Sequence, residues 1–397
     1  MIYAQHGYGK ADKIETGIRE GLLTGVILGP RNEQPDKMVQ FANALRQEFQ
    51  NQITILFDPQ FYIANIAHPN PGPLADYTYY RAGLSRGSFV SPTDVHRYAD
   101  EALTYQTGLP LDRLVSPTVL FSDFRDPWSQ ISLLLAQESI TVHSTLPDPP
   151  PLLVSLTFDE AALRNRDAMD EFLNIISLWD IAGFYVLVRQ NDPTYPAQFE
   201  ESTLASLIYL VYTLSERNDF EVVCGYADLV ALPLHAVGAS ATGVGWFNTL
   251  RQFSLSRFQP PSGGQPARMR YTSRPLINSI LVVPELQTAY QLGLMDEVLS
   301  GTARDGVFAT GSPANAQWPN SASYLHHWEV VSGIAGEIAS QGTVSDRLTY
   351  LEGQMQGALG QYAVLDDAGV PFEAATGPRN LTLGLRAIRS FRADVRI

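Results

Sequence analysis

The chain of 397 residues is 45% hydrophobic and 17% charged, which provides material for a large core and excludes a disordered chain. Its formal net charge of −14 excludes a global basic surface, so a polyanion would need a local basic patch. The single cysteine, Cys224, excludes an internal disulfide framework and a multi-cysteine zinc site. No apolar run reaches about 18 residues, and residues 1–17 lack a signal-peptide core. We therefore expect a cytoplasmic protein without membrane contact.

Short apolar runs of strand length recur along the chain and mostly alternate with segments of helical periodicity. Such alternation implies parallel pairing, and eight strands imply closure. We predict an α/β fold of the (β/α)8 TIM-barrel type. A doubly wound open sheet is the competing architecture, although no early G-x-G-x-x-G motif favours it. The predicted strands are residues 24–28, 53–57, 118–122, 152–157, 184–188, 221–225, 238–242 and 277–283.

The regular alternation is interrupted after the second predicted strand. Residues 60–115 contain a Pro-, Gly- and Tyr-rich loop followed by a predicted helix at 93–107, and we interpret them as an inserted, ordered segment. The barrel is expected to occupy residues 1–303. Residues 304–323 read as a linker and 324–397 as a C-terminal helical region that packs on the barrel or on a protein partner. The other predicted helices are 35–49, 127–139, 167–181, 201–217 and 285–299.

The stretch 220–253 has the pattern of the late part of such a barrel. It contains two strands close together in sequence and then Gly243 and Gly245 before Trp246. Loops after the later strands of this fold often hold a phosphate or another anion. We therefore predict that Gly243 and Gly245 belong to a phosphate-binding loop.

Polar residues that directly follow the predicted strands are the candidates for chemistry, because this fold places its active site at the carboxyl ends of the strands. Carboxylates dominate the set, which suits acid–base catalysis, nucleophilic carboxylate chemistry or Mg²⁺ binding. The set comprises Arg31, Asp58, Asp123, Arg125, Asp126, Asp159, Glu160, Arg189, Asp192, Tyr226, Asp228 and Thr242.

Asp123 is the preferred catalytic residue, as a nucleophile or base, because it directly follows the run 118–122 and Asp126 is available as the helix cap. Asp58 or Asp159 is the expected second acid. Asp at a strand-to-helix junction is also an ordinary N-cap, so capping or turn formation is an equal alternative for Asp58, Asp126 and Asp192.

Arginines and aromatic residues alternate between positions 251 and 274. In an acidic protein such a cluster can hold phosphates and stack on bases, with the alternative that its arginines pair with surface carboxylates. Only three of the 27 basic residues are lysines, and Lys10 lies in the glycine-rich segment HGYGK, where it could supply a point charge to an anion. The predicted phosphate ligands are Arg31, Arg125, Arg189, Arg251, Arg257, Arg270 and Lys10, and the cluster also contains Arg268 and Arg274.

Two further features are assigned structural roles. His326 and His327 are adjacent, so on a helix they diverge by about 100° and make a poor pair of metal ligands. Helix packing or solvent exposure is expected for both. Cys224 is expected in the core.

The segments QHGYGKADKI, GVILGPR, LFDPQFY and RFQPPSGGQPARMRY together resemble uncharacterised barrel proteins of bacterial antiphage-defence islands, some of which are similar to tRNA-guanine transglycosylases. The resemblance covers residues 5 to about 285. It implies base exchange, in which one aspartate attacks the ribose anomeric carbon and a second assists proton transfer. The structural zinc that the resemblance also implies has no ligand set here, since Cys224 is the only cysteine. No catalytic residue is carried over from the family.

Three hypotheses follow from these observations. The first is an enzyme that acts on a nucleobase- or nucleotide-containing small molecule or nucleic acid, without a required cofactor. The second is a non-catalytic barrel that serves as a binding or assembly subunit and docks through its C-terminal helices. The third is a metal-dependent hydrolase or lyase using Mg²⁺. An enzyme should place acids at a solvated pocket, whereas a scaffold should use them as caps and fill its mouth with side chains such as Tyr62 or Trp246.

Overall fold

The computed structural model of the chain describes residues 1–191, 194–259, 268–309 and 311–397. Eight parallel strands form one sheet that curls into a nearly closed barrel, in the order β3-β2-β1-β8-β7-β6-β5-β4. This confirms the predicted α/β (β/α)8 barrel with a C-terminal helical extension. The barrel strands are β1 (Ile2–Gln5), β2 (Gly25–Leu28), β3 (Thr54–Phe57), β4 (Leu114–Val115), β5 (Leu152–Asp159), β6 (Gly183–Arg189), β7 (Glu221–Cys224) and β8 (Ala241–Val244).

Helices connect the strands and continue beyond the barrel. Those within it are α1 (Lys13–Arg19), α2 (Pro35–Phe49), α3 (Pro92–Thr107), α4 (Pro127–Thr145), α5 (Arg166–Ile176), α6 (Glu201–Ser215) and α7 (Leu232–Ala236). After β8 an antiparallel hairpin, β9 (Arg270–Ser273) and β10 (Asn278–Leu281), precedes α8 (Gln287–Gln291), α9 (Asn320–Ala339), α10 (Val344–Asp367) and α11 (Arg379–Val395). No helix within the described part of the chain is long and apolar enough to cross a membrane.

The barrel closes between β3 and β4 through a single aspartate. The backbone N–H of Asp112 donates to the carbonyl of Ile55 at 3.0 Å, and the carboxylate of Asp112 accepts the N–H of Ile55 at 2.7 Å. Arg46 holds the same carboxylate at 2.6 Å. The side chain thus replaces the ladder that the two-residue β4 is too short to supply.

Glycines make room for large side chains inside the barrel. A Cβ on Gly25 would lie 2.7 Å from the ring of Tyr3, and one on Gly225 would lie 2.4 Å from the hydroxyl of Tyr185. A Cβ on Gly183 would lie 1.9 Å from the carbonyl oxygen of Glu221 on the neighbouring strand. Large side chains such as Tyr3 and Tyr185 therefore occupy space that facing glycines leave, and β6 and β7 approach closely at Gly183.

Two of the predicted barrel strands are wrong. Residues 277–283 belong to the β9–β10 hairpin, and the eighth barrel strand is β1, which reads as part of a polar glycine-rich segment because its apolar run is only four residues long. Residues 118–122 form no strand in the part of the chain described. Pro117 has no N–H to continue the ladder of β4, and Phe121 makes only an isolated bridge to Phe158.

The strand β1 precedes all the strands predicted from the sequence. The long segment after residue 60 therefore follows the third barrel strand and not the second. It contains α3, the helix that connects β3 to β4. The irregular part is therefore 60–91, which is built from short turns at Phe61–Ile63, Gly72–Asp76 and Arg86–Phe89. In the segment predicted as a linker, Phe308 and Trp318 are buried against Tyr271.

Replacement of Gly183 by alanine is expected to lower the free energy of unfolding by at least about 2 kcal/mol, because the new methyl group would overlap the backbone of Glu221. Gly353→Ala is the matched control, since Gly353 lies exposed on α10 with nothing within 4 Å of an added Cβ. It should stabilise the helix by roughly 0.5–1 kcal/mol. Urea unfolding of both variants measures the difference. If Gly183→Ala were as stable as Gly353→Ala, the close approach of β6 and β7 would be contradicted.

Candidate functional site

The mouth of the barrel, at the carboxyl ends of its strands, is covered by the segment that follows β8. We call residues 247–259 the mouth loop. It is fixed to three places on the rim: the carbonyl of Phe253 accepts from the N–H of Gln190 at 2.9 Å, that of Arg257 from Arg31 Nε at 2.8 Å, and that of Phe258 from the N–H of Asn70 at 2.6 Å. The mouth is consequently closed by the chain's own residues.

Two phenylalanines of the mouth loop plug the barrel. Phe253 and Phe258 are each 1% exposed. Phe253 packs against Tyr62 and Tyr226 with ring centroids 5.1 and 5.4 Å apart, and Phe258 lies 6.0 Å from Tyr62. These rings exclude water from the layer beneath them.

Beneath the plug lies Asp58, which directly follows β3 and is 1% exposed. One carboxylate oxygen accepts the N–H of Gln60 at 3.0 Å. The other accepts the hydroxyls of Tyr62 at 2.9 Å and of Tyr185, from β6 across the barrel, at 3.3 Å. The carboxyl group therefore sits at the centre of the barrel end and joins opposite walls.

Two glutamines extend this arrangement to β1 and β7. Gln60 donates from Nε2 to the hydroxyl of Tyr226 at 3.0 Å and accepts the N–H of Arg31 at 3.0 Å. Gln5 accepts the N–H of Tyr226 at 3.1 Å. Gln60 and Tyr226 both have left-handed backbones, with φ of 53° and 50°. Such strain in non-glycine residues concentrates at functional sites. We call Gln5, Asp58, Gln60, Tyr62, Tyr185 and Tyr226 the polar cluster.

Burial raises the pKa of Asp58 from 3.8 to about 6, against the opposing effect of the hydrogen bonds from Gln60 and Tyr62. Burial also raises the pKa values of Tyr62 and Tyr185 well above that of a free tyrosine, so both remain donors at neutral pH. A carboxyl group that titrates near pH 6 can both give and take a proton under physiological conditions.

Several buried polar atoms around the polar cluster have no hydrogen-bond partner among the described residues. They are Nε2 of Gln5, Nε2 of His6, Oγ1 of Thr157 and Nη1 of Arg257. His6 is fixed by its other ring nitrogen, which lies 3.1 Å from the carbonyl of Gly29. Burial lowers the pKa of His6 to about 4, so it is neutral at pH 7. Groups of this kind are normally satisfied by bound water or by a ligand.

A small polar pocket opens in the mouth loop above the plug. We call it the mouth pocket, and its enclosed space is about 60 Å³. Arg257 forms part of its wall and lies with its guanidinium carbon 4.7 Å from the ring centroid of Tyr226. This arginine therefore connects the pocket to the polar cluster. The lining residues are Tyr195, Asn248, Thr249, Gln252, Ser254, Ser256 and Arg257.

The three predicted catalytic acids occupy different surroundings, and no hydrogen bond or ion pair joins any two of them in the described ranges. Asp123 accepts the N–H of Arg125 at 2.8 Å within its own loop, beside Asp126, which caps α4. Asp159 accepts the N–H of Ala161 at 2.8 Å as a cap and is paired with Arg189. Only Asp58 lies at the barrel axis.

Most of the predicted phosphate ligands are engaged with the protein itself. Lys10 pairs with Glu33 at 2.7 Å, and Arg125 forms an exposed pair with Glu171 at 2.6 Å. Arg189 contacts Asp159 and Asn191, and Arg31 holds the mouth loop through the carbonyl of Arg257. Their assignment as phosphate ligands remains a prediction, and binding there would require these contacts to be exchanged.

The arginines of 251–274 separate into three kinds. Arg251 donates to the carbonyl of Gly245 and to the hydroxyl of Tyr195. Arg270 donates to the carbonyls of Ser279 and Tyr195 and thereby connects the β9–β10 hairpin to the loop after β6. Arg268 and Arg274 pair with Glu373 and Glu337, as the alternative interpretation of the sequence expected. Arg257 differs from these four because its Nη1 is buried without a partner in the described structure.

Gly243 and Gly245 serve the packing of the barrel end. A Cβ on Gly243 would lie 2.5 Å from the side chain of Gln5, and one on Gly245 would lie 2.1 Å from Leu250. The N–H of Gly245 donates to the carbonyl of Leu250 at 3.1 Å. That amide is already occupied, so a phosphate site at these two glycines remains a prediction that would need the mouth loop to move.

Sequence reasoning missed Gln5, Gln60 and Tyr185. Gln5 ends a strand that the sequence did not indicate, Gln60 stands three residues beyond the end of β3, and Tyr185 lies within β6. Tyr185 lies two residues before the inward-facing Leu187 on the same strand. Residues i and i+2 of a strand face the same side, so the alternation of β6 could have identified Tyr185. Asp192 and residues 262–264 of the arginine-rich segment lie outside the described residues.

The remaining sequence candidates have structural surroundings. His326 and His327 are both buried on α9, not exposed, and bond to Thr272 through its carbonyl and hydroxyl. Burial raises the pKa of Cys224 to about 12, which keeps it a thiol in the core. The described residues contain no group of three or more His, Cys, Asp or Glu side chains arranged to hold a metal ion.

The Asp58→Asn variant is expected to gain stability relative to the natural protein as the pH rises. The folded-state pKa of Asp58 is raised above that of the unfolded chain. Its favourable contribution to the free energy of unfolding is therefore complete below about pH 4 and is lost as the pH rises to about 6. The difference should approach about 3 kcal/mol at 1.36 kcal/mol per pKa unit. Urea unfolding of both proteins between pH 4 and 7 measures it.

The comparison of the two proteins is necessary because buried histidines act in the opposite direction. Burial lowers the pKa values of His6 to about 4 and of His235 to about 3, so their neutral folded forms make stability rise over the same range. These contributions cancel between the natural protein and the variant. A stability difference independent of pH would show that Asp58 has an ordinary pKa.

The sequence was also compared with known proteins. No model of a protein family matches the chain, and no curated protein matches it in sequence. The functional argument therefore depends on the geometry of the polar cluster and the mouth pocket.

Proposed function

We propose that the protein is an enzyme that binds a small phosphate-bearing ligand, such as a nucleotide, in the mouth pocket and uses Asp58 as a general acid–base group. The observation that carries this proposal is the position of Asp58, buried at the carboxyl ends of the barrel strands and directly below an arginine that lines a pocket. In this fold that face is where chemistry occurs.

The chemistry of the mouth pocket fits a phosphate group. Arg257 has a buried, unpartnered Nη1, and Asn248, Thr249, Ser254 and Ser256 also line the pocket. The hydroxyls of Ser254 and Ser256 lie 3.1 Å apart and would exchange that bond for a phosphate oxygen. A guanidinium with several neutral donors binds phosphate oxygens through charge-assisted hydrogen bonds. Tyr195, whose ring borders the pocket, adds a flat surface for a base or sugar.

Access from the pocket to Asp58 requires the plug to move. Phe253 and Phe258 would leave the barrel end together with the mouth loop, which is held by the three backbone carbonyl contacts described above and by side-chain bonds from Arg251 to Tyr195 and from Arg257 to Asn32. Each hydrogen bond lost costs roughly 0.5–1.5 kcal/mol and each phenylalanine exposed roughly 1.5–3 kcal/mol, and ligand binding must offset both. The orphan groups of Gln5, His6 and Thr157 would then be available to the ligand.

The resemblance to transglycosylase-like proteins adds a specific reaction, the cleavage of a glycosidic bond to a nucleobase. Protonated Asp58 would give its proton to the departing base as the carbon–nitrogen bond breaks. Water or an incoming base would then add to the sugar carbon and return a proton to Asp58. This differs from the two-aspartate scheme, because Asp159 is committed to Arg189 and Asp123 to its own turn. A cytoplasmic role in antiphage defence belongs to the same proposal.

A non-catalytic barrel is the second candidate, and the filled mouth favours it. Tyr62, Phe253 and Phe258 occupy the space where a ligand would approach Asp58, and Asp126 and Asp159 serve as caps. In that case the protein would act through its surface, for example through the C-terminal helices. The metal-dependent alternative lacks a supporting ligand group in the described residues.

Arg257→Ala is expected to weaken the binding of nucleoside monophosphates about 10- to 100-fold, the loss typical of a charge-assisted hydrogen bond. Isothermal titration of the full-length protein with each of the common nucleoside monophosphates, and with the matching nucleosides, measures this. Arg274→Ala is the control, because Arg274 belongs to the same basic segment but pairs with Glu337. Equal loss in both variants, or no binding by the natural protein, would exclude the mouth pocket as a phosphate site.

Asp58→Asn is expected to lower the rate of base release by about 100-fold or more for any nucleotide that the natural protein binds and cleaves. The rate for the natural protein should fall above about pH 6, where Asp58 loses its proton. Asp123→Asn is the matched control and should retain activity. Chromatographic detection of free base measures the reaction. If Asp123→Asn abolishes activity and Asp58→Asn does not, Asp58 is not the acid.

A further inference from the structure

A second cleft lies between the barrel and its C-terminal helices. It is bounded by the loops that follow β6 and β7, by the turn between β9 and β10, and by α10 and α11. The enclosed space of the cleft is about 60 Å³, enough for a short aliphatic chain or a small ring rather than a drug-sized ligand. Its walls are mainly apolar, with Phe199, Leu232, Ile277, Leu351, Met355 and Leu383 among them.

One charged group, Asp228, lies against this apolar cleft. It is 3% exposed and follows β7. Its Oδ1 accepts the N–H of Leu229 at 2.7 Å and lies 3.0 Å from Nε2 of His327. The hydroxyl of Tyr195 is a further partner. The ring nitrogen of His327 lies close to Oδ1 without the geometry of a hydrogen bond, so the carboxylate retains part of its capacity of roughly four acceptor positions.

Neighbouring groups keep Asp228 negatively charged and offset part of that charge. Burial would raise the pKa of Asp228, but its contacts with His327 and the nearby charge of Arg251 lower it to about 2. Arg251 is itself buried and bonds to the hydroxyl of Tyr195 at 2.9 Å. The carboxylate is thus ionised, while the adjacent guanidinium offsets its charge. Such a group favours a hydrogen-bond donor and does not require the donor to be cationic.

A second polar group stands at the cleft. Asn380, at the start of α11, is partly exposed, and its side chain makes no hydrogen bond to the described residues. The cleft therefore combines an apolar wall, a buried acceptor and a free amide. This combination is typical of sites that orient a small ligand by one polar head group.

We propose that this cleft binds a small, mainly aliphatic or aromatic molecule that carries one hydrogen-bond-donating head group, an alcohol or an amine, with the head group on Asp228. The site is distinct from the mouth pocket. Tyr195 separates the two, since it lines the mouth pocket while its hydroxyl contacts Asp228. The inference does not rest on the proposed function.

Titration with three probes of equal chain length tests the proposal: 1-hexanol, hexylamine and hexanoate. The alcohol or the amine should bind the full-length protein with a Kd of about 1 mM, as expected for a ligand of seven heavy atoms. Hexanoate should bind at least about tenfold more weakly, because its carboxylate cannot donate and would face Asp228. Preference for the amine identifies a cationic ligand, and equal or better binding of the alcohol identifies a neutral one.

Two variants locate the binding site, and a third is their control. Leu383→Trp should fill the cleft and weaken binding about tenfold or more. Gly384→Ala should weaken it more modestly, because the new Cβ would lie 2.5 Å from the end of Met355 and push that side chain toward the cleft. Leu359→Trp is the control, since Leu359 lies on α10 but borders a different groove. Thermal unfolding without ligand verifies that each variant is folded.

Three results would overturn the inference. These are the absence of saturable binding by both the alcohol and the amine, hexanoate binding as tight as theirs, and unchanged affinity in both folded cleft variants. Loss of binding in Leu359→Trp alone would place the probe in the other groove and have the same consequence.

Discussion

The narrow interior of the barrel is the constraint on which the rest of the structure depends. Tyr185 can cross to Asp58 only because Gly225 leaves space for its hydroxyl, and Gly243 leaves the corresponding space for Gln5. A side chain at either glycine would displace a member of the polar cluster. The same glycines that permit close strand packing therefore position the carboxyl group on the barrel axis.

Closure of the mouth follows from this arrangement. Tyr62, whose hydroxyl donates to Asp58, and Tyr226 provide the ring surfaces on which Phe253 and Phe258 pack. The backbone carbonyls of the mouth loop then accept hydrogen bonds from Arg31 after β2, from Gln190 after β6 and from Asn70 in the segment 60–91. The resulting exclusion of water is the main cause of the raised pKa of Asp58.

The architecture could be predicted from the sequence because parallel barrel strands are buried on both faces and read as continuous apolar runs. Strands β2, β3, β5, β6 and β7 were identified in this way. The run Ile2–Gln5 is too short to be distinguished from the polar segment after it. β4 contains only Leu114 and Val115, but the apolar sequence continues beyond Pro117 and suggests a strand there. The antiparallel β10 has the same composition as a barrel strand, so only its pairing distinguishes it.

The candidate site could be predicted only in part, since which strand-end acid becomes catalytic depends on contacts between distant strands. Asp58, Asp123 and Asp159 each directly follow or end an apolar run. Of the three, only Asp58 bonds to Tyr185, which reaches it from across the barrel, whereas Asp159 pairs with Arg189 of the neighbouring strand. The left-handed backbones of Gln60 and Tyr226 are likewise imposed by tertiary contacts, because neither residue favours that conformation.

These features bear on the choice between an enzyme and a scaffold. A barrel that served only as a scaffold could fill its end with apolar side chains, which would avoid the burial of a carboxyl group and of unpartnered groups on Gln5, His6 and Thr157. Left-handed backbones and unpartnered polar atoms also occur elsewhere in the described chain, for example at Asp148 and at Thr213. What distinguishes the barrel end is that Gln60 and Tyr226, both left-handed, and three unpartnered groups surround a buried carboxyl group there. On the proposed function, the filled mouth is the closed state of the site, with Arg257 between the pocket and the polar cluster.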